Sequence, residues 1–113
     1  MKQGEIYLVD LDPVIGLEAG GKQLVVIVST DSINASFLPV TVALVRDATG
    51  ASLPRVFSVL VPAAESGLIA DVVVDCLHLR SLDQSRFPAL PTGVISTAKL
   101  KDVEKALRAV FRV

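Results

Sequence analysis

Four side chains in this sequence have types and positions suited to chemistry on a phosphate: Lys22, Gln23, Arg46 and His78. His78 is the only histidine, and an imidazole with its ordinary pKa of about 6.5 can act as acid or base near neutrality. It stands between Leu77 and Leu79 in an apolar run, so its competing role is that of a satisfied structural residue. Arg46 closes another apolar run directly before Asp47. Its planar guanidinium can grip a phosphate through two parallel hydrogen bonds, or pair instead with Asp47 or another nearby acid. Lys22 can reach a phosphate as a point charge or remain an ordinary solvated lysine, and once a strand begins it faces away from its neighbour Gln23. Gln23 can hydrogen-bond an oxygen but brings no charge. One cysteine, Cys76, excludes an internal disulfide and a cysteine-based zinc site. One Cys and one His with scattered acids supply no ligand set, so a site without metal or cofactor is expected.

These residues need elements to hold them, and the pattern is mostly strand. Residues 5–11 alternate as E-I-Y-L-V-D-L before the Asp12-Pro13 turn signal. Residues 24–28 are an uninterrupted apolar run and 40–45 another that holds only Thr41 besides, the signature of strands buried on both faces, and they are expected at the centre of the sheet. Residues 55–61 alternate, 72–79 are apolar apart from Asp75 and His78, and a short strand is expected at 93–95. Helical period appears only at the C-terminus. There Ser96 is a candidate N-cap, Leu100, Val103, Leu107, Val110 and Phe111 fall on one face, and Lys101, Glu104, Lys105 and Arg108 on the other. The stretch P-A-A-E-S-G reads as a single turn closed by Gly67, and residues 81–87 as another. The spacing predicts a small barrel or strongly bent sheet covered by the helix.

Composition sets the outer bounds. With 113 residues, 51% of them hydrophobic and 20% charged, the chain can bury a core without staples. No repeat, low-complexity tract or linker interrupts it, so one domain over 1–113 is expected. The charged N-terminus is neither a signal peptide nor a membrane span, and no apolar run approaches the roughly 18 residues that cross a bilayer, so a soluble, cytoplasmic protein is expected. Eleven basic and twelve acidic residues give a net charge of −1. A strong, nonspecific nucleic-acid binder carries a basic excess, so any site for a polyanion must be local.

The stretch G-L-E-A-G-G-K-Q-L-V-V-I-V-S-T-D, residues 16–31, sets three glycines and a charged pair before a buried strand. On glycine content it is expected to be mobile up to Gln23. Together with K-Q-G-E-I-Y-L-V-D-L-D-P before it, S-T-D-S-I-N after it, and the later blocks L-P-R-V-F-S-V and D-C-L-H-L-R-S-L-D-Q-S-R-F, it resembles the MazF/PemK family of toxins over nearly the full chain. The resemblance implies an SH3-like, partly open antiparallel barrel with a C-terminal helix, a homodimer, and a metal-independent endoribonuclease cutting single-stranded mRNA. It also implies a cognate antitoxin whose acidic tail lies across the RNA groove. The family's chemistry is attack of a ribose 2′-hydroxyl on its own phosphate, which needs a proton acceptor, a proton donor and a cation.

Against that family this chain departs at two positions. Gly20-Gly21-Lys22-Gln23-Leu24 stands where the family reads Gly-Gly-x-Arg-Pro, which puts neutral Gln23 at the arginine position. The family's threonine is replaced by Val45 or Arg46, depending on one gap. Lys22, Arg46 and His78 are the candidates to compensate. Glu18 matches the family acid of the first loop, with simple solvation as its alternative, and the resemblance implies that Gly20 and Gly21 shape a loop that lies beside RNA. Arg80, Asp83 and Arg86 match the S-L-D-x-x-R block, as ties of the turn after the strand or as phosphate contacts. Phe37 is the aromatic expected to be exposed. Two further readings stay open: a noncatalytic homologue that keeps fold and partner, and a gyrase poison of CcdB type. The C-terminus, which has no tryptophan, speaks against the latter.

Overall fold

The two apolar runs become neighbouring strands at the middle of one sheet. The computed structural model of the chain describes residues 1–12, 20–49 and 56–113. Within them, β1 (Glu5–Asp10), β2 (Lys22–Ile27), β3 (Val40–Asp47), β4 (Ser58–Val61), β5 (Val72–Leu82) and β6 (Gly93–Val94) pair antiparallel in the order β4-β5-β3-β2-β1-β6. Val26, Ala43 and Val45 enter one buried cluster, and Val25, Val42 and Leu44 enter a second. That division is what alternating side chains of a strand covered on both faces produce. The first cluster is closed by Val103 and Ala106 of the C-terminal helix α2 (Thr97–Phe111), with Leu100, Leu107 and Val110 against it. The second gathers Tyr7, Val9, Leu11 and Leu82 as the sheet curls, with Phe87 packed edge-on to Tyr7 at 5.3 Å. The result is the mostly β half-barrel with a C-terminal helix that the sequence pattern predicts.

The cap of α2 forms as expected: Ser96 Oγ accepts the Lys99 N–H at 3.2 Å. Phe111, although on the apolar face by period, is exposed in the last turn, where Arg112 adopts a left-handed conformation and stops the helix. Gly67 closes its turn with φ +75°, donating its N–H to Ala63 O at 3.1 Å. That turn grips the entry to α2. Ser96 donates its N–H to Glu65 O at 2.8 Å and its hydroxyl to Glu65 Oε1 at 3.0 Å, while Val94 N–H reaches Ser66 O at 3.0 Å. A side chain at Gly93 would run into the same Ser66 carbonyl, so only glycine fits that approach.

Several boundaries differ from the sequence expectation: β4 begins only at Ser58, β3 runs on to Asp47, and β1 and β6 each stop one residue sooner. β5 continues to Leu82 because Arg80 and Leu82 still pair with Val42 and Val40, so the turn after it shrinks to Gln84–Arg86. β2 begins at Lys22, because Lys22 and Gln23 pair with Asp10 and Val9 of β1. Asp31–Asn34 forms a short helix, α1, where the sequence suggests only a strand stop. Asn34 is buried there, donating to Ser29 O at 2.9 Å and accepting from Ser29 Oγ at 2.6 Å. Residue 55 and residues 16–19, which include Glu18 and most of the loop expected to be mobile, lie outside the described residues.

Candidate functional site

A bulge in β5 builds the site. β3 and β5 pair in regular steps from Val40↔Leu82 to Ala43↔Leu79, after which Leu44 meets Asp75. Cys76, Leu77 and His78 are left without opposite numbers on β3. In an unbroken strand, residues three apart point to opposite faces. The extra residues bend β5 so that Asp75 and His78 meet, as bulges beside active sites commonly re-aim a side chain.

Asp75 sits at the centre, with its side chain only 1% exposed. Its Oδ2 accepts from Arg46 Nε at 2.9 Å and from His78 Nδ1 at 2.7 Å, and its Oδ1 accepts the Leu77 N–H at 3.0 Å. Arg46 arrives from β3, two residues past Leu44 and therefore on the same face, away from α2. Its Nη2 lies 3.4 and 3.5 Å from the two ring nitrogens of His78. Near-equal distances set the guanidinium over the ring face, not in line with one lone pair. Burial pushes the Asp75 carboxyl upward, but the hydrogen bonds from Arg46, Leu77 and His78 outweigh it and hold the group below the usual carboxylate range. Arg46 and His78 keep 38% and 42% of their side chains exposed, so the cluster has a buried anion beneath two accessible nitrogen groups. Beside it, His78 and Arg80 line a small cavity of about 70 Å³ whose apolar walls include Val25, Val42 and Leu44.

The remaining candidates fall around this cluster. The register Leu24↔Val45, continued by one residue, sets Gln23 opposite Arg46. The Gln23 amide, however, turns back to donate to Gly20 O at 3.1 Å. Lys22 is exposed, paired across the ladder with Asp10 and on the other face from Gln23, so it does not join Arg46 and His78. Gly21 has φ +69°, a conformation that favours glycine, and its N–H reaches Asp12 Oδ1 at 3.0 Å. Arg80 donates to Leu11 O at 2.8 Å, and Arg86 to Asp10 O and Asp12 O at 3.3 and 3.2 Å. Both arginines thus tie the end of β1 to the end of β5. Val45 is buried on the α2 side, so of the two residues that share the threonine's place only Arg46 reaches the cluster. Asp75 is the member that sequence reasoning did not single out; its signal was an acid inside an apolar run, which must find partners when buried. Cys76 is no competing nucleophile, since burial, with the Asp75 charge adding to it, pushes its thiol up to about 11. Among the described residues, no group of three His, Cys, Asp or Glu side chains could hold a metal.

The fold and its relatives agree on the class. Residues 2–111 match the family described as PemK-like, MazF-like toxin of type II toxin-antitoxin system. The chain is 34% identical to Endoribonuclease MazF9 of Mycobacterium tuberculosis, over 96% of this chain and 93% of that one. It is 33% identical to Endoribonuclease MazF of Staphylococcus saprophyticus, over 95% and 88%. Among solved structures, an endoribonuclease in complex with its cognate antitoxin from Mycobacterial species superposes with TM-score 0.79 at 16% identity, covering 100% of this chain and 96% of that one. MazF from Deinococcus radiodurans superposes with TM-score 0.74 at 22% identity, covering 100% and 97%. The half-barrel is thus the fold of MazF toxins. The chain belongs to the PemK/MazF family of toxins of type II toxin–antitoxin systems.

Proposed function

We propose that this toxin is a sequence-specific endoribonuclease that cuts single-stranded RNA without a metal, with Arg46 and His78 in place of the family's arginine and threonine. The observation that carries the proposal is the sharing of one buried carboxylate by a guanidinium and an imidazole, both accessible on one face. The names of the relatives at 34% and 33% identity support the activity. In the reaction, the ribose 2′-oxygen bonds to the adjacent phosphorus and the bond from phosphorus to the 5′-oxygen breaks, leaving a cyclic phosphate. His78 takes the 2′-hydroxyl proton, and the leaving oxygen receives one from the imidazolium so formed or from water. The Nη groups of Arg46 neutralise charge on the phosphorane. Gly20, Gly21, Arg80 and Arg86 border the path of the strand, and Glu18 belongs to the same loop by sequence. The partners that go with this reading are a cognate antitoxin with an acidic tail, a second copy of the chain, and a cytoplasmic setting.

Incubation with single-stranded RNA in the presence of a chelator tests it. Cleavage at defined sites is expected, with at least a tenfold loss in Arg46→Ala and His78→Ala, on the order of one missing transition-state interaction. One observation favours a second reading, a noncatalytic homologue: Gln23 stands at the arginine position with its amide engaged by Gly20. Antitoxin binding without any RNA cleavage would establish that reading instead.

A further inference from the structure

We infer that Asp75 is a positioning residue: held by the β5 bulge, it fixes His78 with its proton on Nδ1 and leaves Nε2 bare toward the substrate side. The inference rests on the endoribonuclease reading for its role in turnover, and on geometry alone for the state of the ring. An ionised carboxylate only accepts hydrogen bonds, so the 2.7 Å contact between Asp75 Oδ2 and His78 Nδ1 requires the proton on Nδ1. In the neutral ring the other nitrogen then carries the lone pair, with Arg46 Nη2 at 3.5 Å over the ring face. Asp75 cannot swing away to release the histidine. It is 1% exposed, and its other contacts, to Leu77 N–H and Arg46 Nε, come from the bulge and from β3. The histidine is therefore locked on two sides, by the carboxylate in its plane and the guanidinium across its face. A general base must hold its lone pair where the proton will be, and a neighbouring carboxylate is a known means of choosing the tautomer. The bulge supplies that carboxylate three residues upstream on the same strand, a placement a regular strand could not give.

The single histidine makes the test direct. A long-range ¹H–¹⁵N correlation spectrum of the unaltered protein, at a pH where the ring is neutral, reads the tautomer without any substitution. The Nδ1–H form is expected to dominate, and a spectrum dominated by Nε2–H overturns the inference. Asp75→Ala is expected to scramble the tautomers and to lower kcat for RNA cleavage at least thirtyfold with KM changed less than about threefold, an orientation loss milder than that of a triad aspartate. The double variant Asp75→Ala/His78→Ala should be no slower than His78→Ala alone, whereas additive losses or an unchanged tautomer in Asp75→Ala overturn the role. If Asp75→Ala does not fold, the spectrum of the unaltered chain still decides. If the unaltered protein shows the Nδ1–H form but cuts no RNA, the endoribonuclease reading fails and the locked ring stands.

Discussion

Arg46 donates its Nε to Asp75 Oδ2 across 2.9 Å, joining a side chain that is 38% exposed to one that is 1% exposed. The pair spans the boundary between core and solvent. Removing the arginine leaves the carboxylate with His78 and the Leu77 N–H but takes away its formal countercharge. Arg46→Ala should therefore destabilise the fold by about 2 kcal/mol, the scale of a hydrogen bond to a charged group and below that of a fully buried ion pair. Urea denaturation at pH 7 checks this. No loss would mean that solvent already screens the pair.

Acid should reverse part of this stabilisation. The folded-state pKa of Asp75 is held below its unfolded value, so its contribution is present above the ordinary carboxylate pKa and lost as pH falls through the depressed one. Denaturation midpoints measured from pH 6 downward should drop below about pH 4, and the drop should be shallower in a folded Asp75→Asn variant, which has no carboxylate there to protonate. Equal slopes in the two proteins would place the acid sensitivity elsewhere.

At the other end of the pH scale stands Tyr7. Burial first, then the hydrogen bond to Glu5 at 3.1 Å and its negative charge, push the phenol up to about 12. A raised pKa in the folded state means stability that is intact below about 10 and is lost as pH rises toward the folded value. Tyr7→Phe keeps the ring against Phe87 and should flatten that alkaline loss in a denaturation series from pH 8 to 11.5.

Restoring the family's residues is not a simple graft. Gln23→Arg places a guanidinium across the ladder from Arg46 and should raise cleavage by up to about a hundredfold if it reaches the phosphate. Val45→Thr buries a hydroxyl on the α2 side of the sheet, where Val45 is only 4% exposed. It should cost about 1–3 kcal/mol and give no gain in rate. Rates and thermal midpoints of the two single variants separate these effects, and a faster Val45→Thr enzyme would show that the threonine's place has been misassigned.

Much of the scaffold was legible because burial writes itself into composition. Residues 24–28 and 40–45 are apolar on both sides, and they lie at the sheet's centre as β2 and β3. Ser96 and the period after it gave α2 and its cap. The bulge was not legible: residues 72–79 read the same whether Cys76, Leu77 and His78 are paired or extruded. Helix α1 was hidden for a different reason, since four residues are too few to show a period. At the site, Arg46 and His78 were visible as residue types. Their shared partner was not, because Arg46 lies 29 positions from Asp75 and only the strand register brings them together. Phe37 could be recognised as exposed from its loop sequence, and it is.

The grip of Glu65 and Ser66 on Gly93, Val94 and Ser96 has a meaning in time as well as in space. These contacts fasten the first turn of α2 to the connection between β4 and β5. The helix therefore cannot lift from the sheet by fraying inward from its entry. It must leave together with the strap that carries the chain from β4 to β5, in one opening event. Amide protons on either side of that strap are expected to exchange with solvent at a common rate, which binds the lifetime of α2 to that of a segment 31 residues earlier in the chain.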